Sequence, residues 1–169
     1  MKNLFLSAIV ATATLASCST VSSVLQNNLP YNSNFVVTQG SPSNTQLSAV
    51  GAGTNLNQIM GVSSNVKDIR ATTATMSVTS GAQGMGVFKS VRVYLSSGNN
   101  EVLVAQRDNI ADNIGTSLSL DVNNNLYLDN IMKSGNAIQQ RVVYTLKQSP
   151  TSDLNVRSSI TFSSIPSNQ

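Results

Sequence analysis

Over residues 69–162 the apolar side chains recur at every second position, in short runs broken by Gly, Asn, Ser and Pro. Ala74, Met76 and Val78 make one run, and Val91, Val93 and Leu95 make another in the segment that begins at Phe88. Lys89, Arg92 and Ser96 fall off that face or at its end. A period of two puts apolar side chains on one side of a strand and polar ones on the other. Ser96-Ser97-Gly98-Asn99-Asn100 is turn chemistry, because Gly and Asn accept positive φ, so residues 101–106 are expected to return antiparallel as a hairpin. Leu118, Leu120 and Val122 give a further short strand, ended by Asn123-Asn124-Asn125. Last come Ile138, Gln140, Val142, Tyr144 and Leu146 on one strand, then Leu154, Val156, Ser158, Ile160 and Phe162 on the next. With Pro150 between them, the pair reads as a hairpin whose two apolar sides face one core.

Two stretches follow a helical spacing instead. Leu56, Ile59 and Met60 lie between Thr54 and Gly61, and Leu128, Ile131 and Met132 precede Lys133 and Gly135, so each is expected to form a turn or two of helix. Phe35-Val36-Val37-Thr38 is the first candidate strand, closed by Gly40, Ser41 and Pro42. The residues before it, back to Ser19, are polar and aperiodic. The pattern has turn signals between six to eight strands and no βαβ rhythm. It predicts an all-β domain over residues 34–169: an antiparallel two-layer β-sandwich, Greek-key or Ig-like, with one or two short helices in its connections.

The N-terminus carries a different signal. Lys2 precedes an apolar run over residues 4–15, which suits the h-region of a signal peptide and is shorter than the roughly 20 residues of a spanning helix. Leu15-Ala16-Ser17-Cys18 follows and resembles the lipobox of bacterial lipoproteins. The resemblance implies that residues 1–17 are removed, that Cys18 carries a diacylglycerol, and that its freed amine is acylated. Two or more acyl chains anchor a protein stably, whereas one binds only marginally. Residues 18–33 then read as a flexible tether, which as a coil of about 15 residues has an r.m.s. span on the order of 20 Å. Ser19 stands where an Asp would favour inner-membrane retention in enterobacterial lipoproteins, so the implied address is the outer membrane. Many surface-exposed lipoproteins of Bacteroidota carry an acidic cluster after the cysteine. Ser19-Thr20-Val21-Ser22-Ser23 has none, which points to a periplasm-facing position. The stretch over residues 69–162 is likewise similar to small β-sandwich domains of Bacteroidota lipoproteins.

Composition narrows the chemistry. The chain has one Cys, no His and no Trp. A lone thiol in an oxidising compartment is a liability that thioether formation at Cys18 removes. Ser-His-Asp triads, Cys-His nucleophiles and His/Cys zinc sites are excluded from the mature chain. Lys and Arg number 10 against 7 Asp and Glu, but they stand singly along the chain. Nucleic acid is not an expected partner, because phosphate binding needs clustered cations.

Three weaker patterns remain. Ser64-Asn65-Val66-Lys67 has the S-x-x-K spacing of penicillin-binding enzymes without their S-D-N and K-T-G companions, so catalysis there is not expected. Asp121-Val122-Asn123-Asn124-Asn125 with Asp129 approaches a calcium loop, but Leu126 replaces the required Gly and Met132 the required Glu, leaving an Asn-rich turn as the expectation. Asp108 and Asp112 are the nearest approach to a carboxylate pair for glycoside hydrolysis and read as solvated loop residues. The sequence therefore predicts no enzyme, no cofactor and no metal site.

What remains is a lipid-anchored accessory, structural or protein-interaction domain of the cell envelope, meeting another envelope protein through a sheet edge or an apolar patch. The alternative is a module that binds glycan or another envelope polymer with loops at one end of the sandwich, using Tyr31, Tyr94, Tyr127 or Tyr144 in place of Trp.

Overall fold

The computed structural model describes residues 25–60 and 65–167. Along them run β1 (Leu25–Val37), β2 (Gln46–Val50), α1 (Leu56–Met60), β3 (Val66–Ser80), β4 (Phe88–Ser97), β5 (Asn100–Asp108), β6 (Ser117–Ser119), β7 (Asp121–Val122), α2 (Asp129–Met132), β8 (Ile138–Leu146) and β9 (Leu154–Pro166). A single 3-10 turn, Met85–Val87, leads into β4. Two antiparallel sheets, ordered β1-β9-β3-β6 and β2-β8-β4-β5-β7, pack face to face as an all-β two-layer sandwich. The last strand lies inside the first sheet, between β1 and β3.

Alternation explains the packing. Val91, Val93 and Leu95 of β4 are fully buried, as are Ile138 and Leu146 of β8 and Leu154, Ile160 and Phe162 of β9. They belong to one continuous apolar cluster with Ala74, Met76 and Val78 of β3. Tyr144 of β8 joins the layers, its ring stacked 5.8 Å from Phe35 of β1 and edge-on at 5.6 Å to Phe88 of β4. A reciprocal polar link sits nearby. Tyr31 Oη donates to the Ile138 carbonyl at 2.9 Å, and Gln140 Nε2 donates to the Tyr31 carbonyl at 2.7 Å. Buried polar groups must find such partners, and here each partner lies in the opposite sheet.

Four expectations change. Residues 138–162 form no hairpin: β8 and β9 belong to different sheets, and residues 147–153 arch between them. Strand alternation reports only which side is buried, and in a sandwich the buried sides of adjacent and facing strands read alike. The arch is pinned where Lys147 N–H donates to the Val87 carbonyl at 2.8 Å and Gly40 N–H to the Pro150 carbonyl at 3.0 Å. The stretch read as a flexible tether over 18–33 is strand from Leu25 onward, where β1 begins. Its polar surface hid a strand with Tyr31 and Ser33 turned inward. The stretch around Leu120 splits, with β6 in one sheet and β7 in the other. Residues 46–50, for which the pattern predicted no element, form the edge strand β2.

The hairpin between β4 and β5 is present, with Ser97 opposite Asn100 and Gly98 at φ 59° where only a residue without Cβ sits freely. The two predicted helical turns are present as α1 and α2.

Candidate functional site

β5 is covered unevenly. Ala105 and Gln106 pair with β7, and Asn123 N–H donates to the Val104 carbonyl at 3.0 Å. Among the described residues, 100–103 pair with β4 on one side and with no strand on the other. A groove of about 570 Å³ runs along that free edge. Its other wall is the segment that leads into α2, so Val102 faces Leu126, Leu128 and Ile131 across an apolar floor while Asn100, Glu101, Tyr127 and Asn130 form the rim.

The far wall stands where it does because Asp129 ties it to β3. Leu128 N–H donates to the Ile69 carbonyl at 2.8 Å, and Asp129 Oδ2 accepts from Ile69 N–H at 3.0 Å. These bonds satisfy the edge of β3 beyond the reach of β6. Lys133 Nζ holds the same carboxylate at 2.9 Å. Tyr127 projects from this wall with 54% of its surface exposed. The Arg70 guanidinium lies 4.0 Å from its ring centroid and hydrogen-bonds its hydroxyl.

Glu101 connects the rim to the outer face of the five-stranded sheet. It accepts a two-pronged hydrogen bond from Arg141, at 2.6 Å from Nε and 2.5 Å from Nη2, and Arg141 lies 4.6 Å over the Tyr94 ring. That hydrogen bonding holds the Glu101 carboxyl below the usual carboxylate range. The rim charges are thus internally neutralised.

The predicted candidates disperse. Cys18 and Ser64 lie outside the described residues, and Lys67 is exposed on β3. Asp108 pairs with Arg92 at 3.3 Å, and Asp112 pairs with Lys147. Asp121 pairs with Arg107 at 3.0 Å while Asp129 caps β3, so the two carboxylates of the calcium-like pattern serve different sheets. Among the described residues no three His, Cys, Asp or Glu side chains gather as a metal-holding group. Of the tyrosines, Tyr31 and Tyr144 are core, Tyr94 lies under Arg141, and Tyr127 lines the groove.

At the opposite end of the sandwich is a second cleft, of about 680 Å³, lined by Gln83, Gly86, Asp112, Asn113, Lys147 and Gln148. Here two loops press together, with Gly86 against the Asp112 carbonyl and Gly84 against the Gly115 carbonyl. Lys147 links them, its side chain bonding the Ile110 carbonyl and Asp112 on one and its backbone N–H the Val87 carbonyl on the other. These contacts make the cleft a clasp between loops.

No helix among the described residues is long and apolar enough to cross a membrane. Compared with known protein families and with curated proteins, the chain matches no family model and no individual sequence.

Proposed function

We propose that this chain is an outer-membrane lipoprotein, anchored through Cys18 and facing the periplasm, that works as a non-catalytic interaction domain and receives an extended segment of another envelope protein along β5. The observation that carries the reading is the free edge at residues 100–103 beside an apolar-floored groove. Exposed backbone donors and acceptors template a further strand, and a flanking wall supplies side-chain contacts. β1, β2 and β6 also end their sheets, and what sets residues 100–103 apart is the apolar-floored groove beside them. The carboxylates at the groove, Glu101 and Asp129, are each engaged by a cation, so the charges beside it are already paired.

Photo-crosslinking residues placed at Leu103 and Tyr127 in the full-length protein in intact envelopes test this. A discrete protein adduct at both positions, absent from the same probe at Ser159 on the other sheet, is expected. Equal labelling at all three positions, or none at Leu103, would refute the strand-addition reading. The exposed Tyr127 ring favours one alternative, a glycan stacked on its open side. In that case Tyr127→Ala abolishes retention on immobilised envelope polysaccharide and no protein adduct forms.

A further inference from the structure

The shortened tether carries a consequence for how the domain stands on its membrane. Cys18 and Leu25 are seven residues apart, and a fully extended chain spans at most 3.3–3.6 Å per residue, so the start of β1 lies within about 25 Å of the lipid anchor. Leu25 pairs with Ser164 and Val37 with Leu154. The ten steps of β9 between those partners rise about 33 Å. A pose with the Val37 end against the bilayer would put Leu25 about 33 Å away, beyond the reach of the tether.

The pairing identifies what each end carries. Tyr31 of β1 bonds the Ile138 carbonyl at the start of β8, and Ile138 lies opposite Ser97 at the end of β4. The β4–β5 turn, with Gly98 and Asn99, therefore shares the end where β1 begins. At the other end Gly40 meets Pro150, and the cleft of Gln83, Asp112, Asn113 and Lys147 lies beside the same arch. Neither outer sheet face offers a reason to lie down on lipid. One presents Asn32, Asn34, Arg157, Ser159 and Thr161, and the other the ion pairs Arg92–Asp108 and Arg141–Glu101.

We infer that the anchor holds the sandwich with its β4–β5 turn toward the bilayer and the Asp112–Lys147 cleft away from it, so that the β5 groove opens at Asn100 on the membrane side and takes its strand from a protein held at the same membrane. This rests on Cys18 lipidation and, for the partner, on the groove reading above. The strand enters near the lipid and runs outward along β5. Because the rim charges are already paired, the segment that fits is uncharged where it lies against residues 100–103.

Lipidation consumes the Cys18 thiol, so a single introduced cysteine gives one labelling site. Processed full-length protein carrying Asn99→Cys or Asn113→Cys is labelled with a donor dye. It is then reconstituted in phosphatidylethanolamine/phosphatidylglycerol vesicles containing a headgroup acceptor. Energy transfer is expected to be at least about twofold higher from position 99 than from 113, given the separation of the two ends. Inserting about 20 Gly/Ser residues after Ser23 extends the reach to roughly 90 Å and should erase the difference. Equal or reversed transfer in the unextended protein overturns the orientation. Protein that does not co-sediment with the vesicles overturns the anchor itself. Correct transfer with adducts at Leu103 formed only with a soluble protein keeps the orientation and overturns the same-membrane partner.

Discussion

Phe162 offers the sharpest test of the packing. Its ring is fully buried on β9, the strand between β1 and β3, where it lies opposite the small Ala71. Truncation there opens space that neighbouring strands cannot close without breaking register. Burying such a side chain contributes about 1.5–3 kcal/mol, and removing it from a packed core costs about 3–5 kcal/mol once the cavity is included. Thr161 is one residue away on the opposite face, where its hydroxyl meets Thr72 Oγ1 at 3.0 Å and also bonds Thr73. Solvent replaces those bonds, so Thr161→Ala should cost no more than about 1 kcal/mol.

The assay is urea unfolding followed by circular dichroism on a fragment comprising residues 25–169, which has to include all of β1. With a slope of about 2 kcal/mol per molar, Phe162→Ala should lower the midpoint by roughly 2 M and Thr161→Ala by less than about 0.5 M. Equal shifts for the two variants, or a spectrum dominated by helix, would show that the inward and outward faces of β9 are misassigned.

Alkaline stability follows from Tyr31, whose hydroxyl is pushed up to about 12 by burial. The folded state keeps its proton above the unfolded value near 10, so its stabilising contribution is intact below pH 10 and is lost as the pH rises toward 12. Urea midpoints measured across that window should fall, and less steeply in Tyr31→Phe. Gly86→Ala should destabilise the domain by about 1–3 kcal/mol, since a Cβ there meets the Asp112 carbonyl and forces the two loops apart, which thermal melting will register. Ser64→Ala should leave the cellular role unchanged, and β-lactam probes should not label the purified domain; Ser64-dependent labelling would contradict this. Cys18→Ala should lose metabolic incorporation of a fatty-acid analogue, and equal label in both proteins would sink the anchor.

Which faces are buried was legible wherever the backbone stays regular. β9 alternates throughout, β4 does so from Val91 onward and β8 does so apart from Val143, so Val93, Val142 and Phe162 could be placed inside from the sequence alone. β3 could be read only in part. Its buried residues Val66, Ile69, Ala71, Ala74, Met76 and Val78 change spacing at register shifts, one of them beside Asp68 at φ 55°, and each bulge moves the pattern to the other face. Pairing was less legible still, because apolar spacing says nothing about whether the next strand lies beside or across, which is how the β8–β9 arch came to look like a hairpin.

The groove depends on pairing and so inherits that ambiguity. Arg70 meets Tyr127 across 57 residues and Asp129 reaches Ile69 across 60, contacts set by where the bulged β3 ends up and by no local motif. One local signal was nevertheless present. Asn123-Asn124-Asn125 follows Val122 directly, and turn residues at that point stop β7 after two residues, whereas β5 runs for nine. A strand of nine residues cannot be covered along its length by a neighbour of two. The unequal lengths, set by where the asparagines fall, thus leave residues 100–103 with β4 as their one partner strand among the described residues, and the same asparagine turn sends the chain on into Leu126 and Tyr127 to build the facing wall.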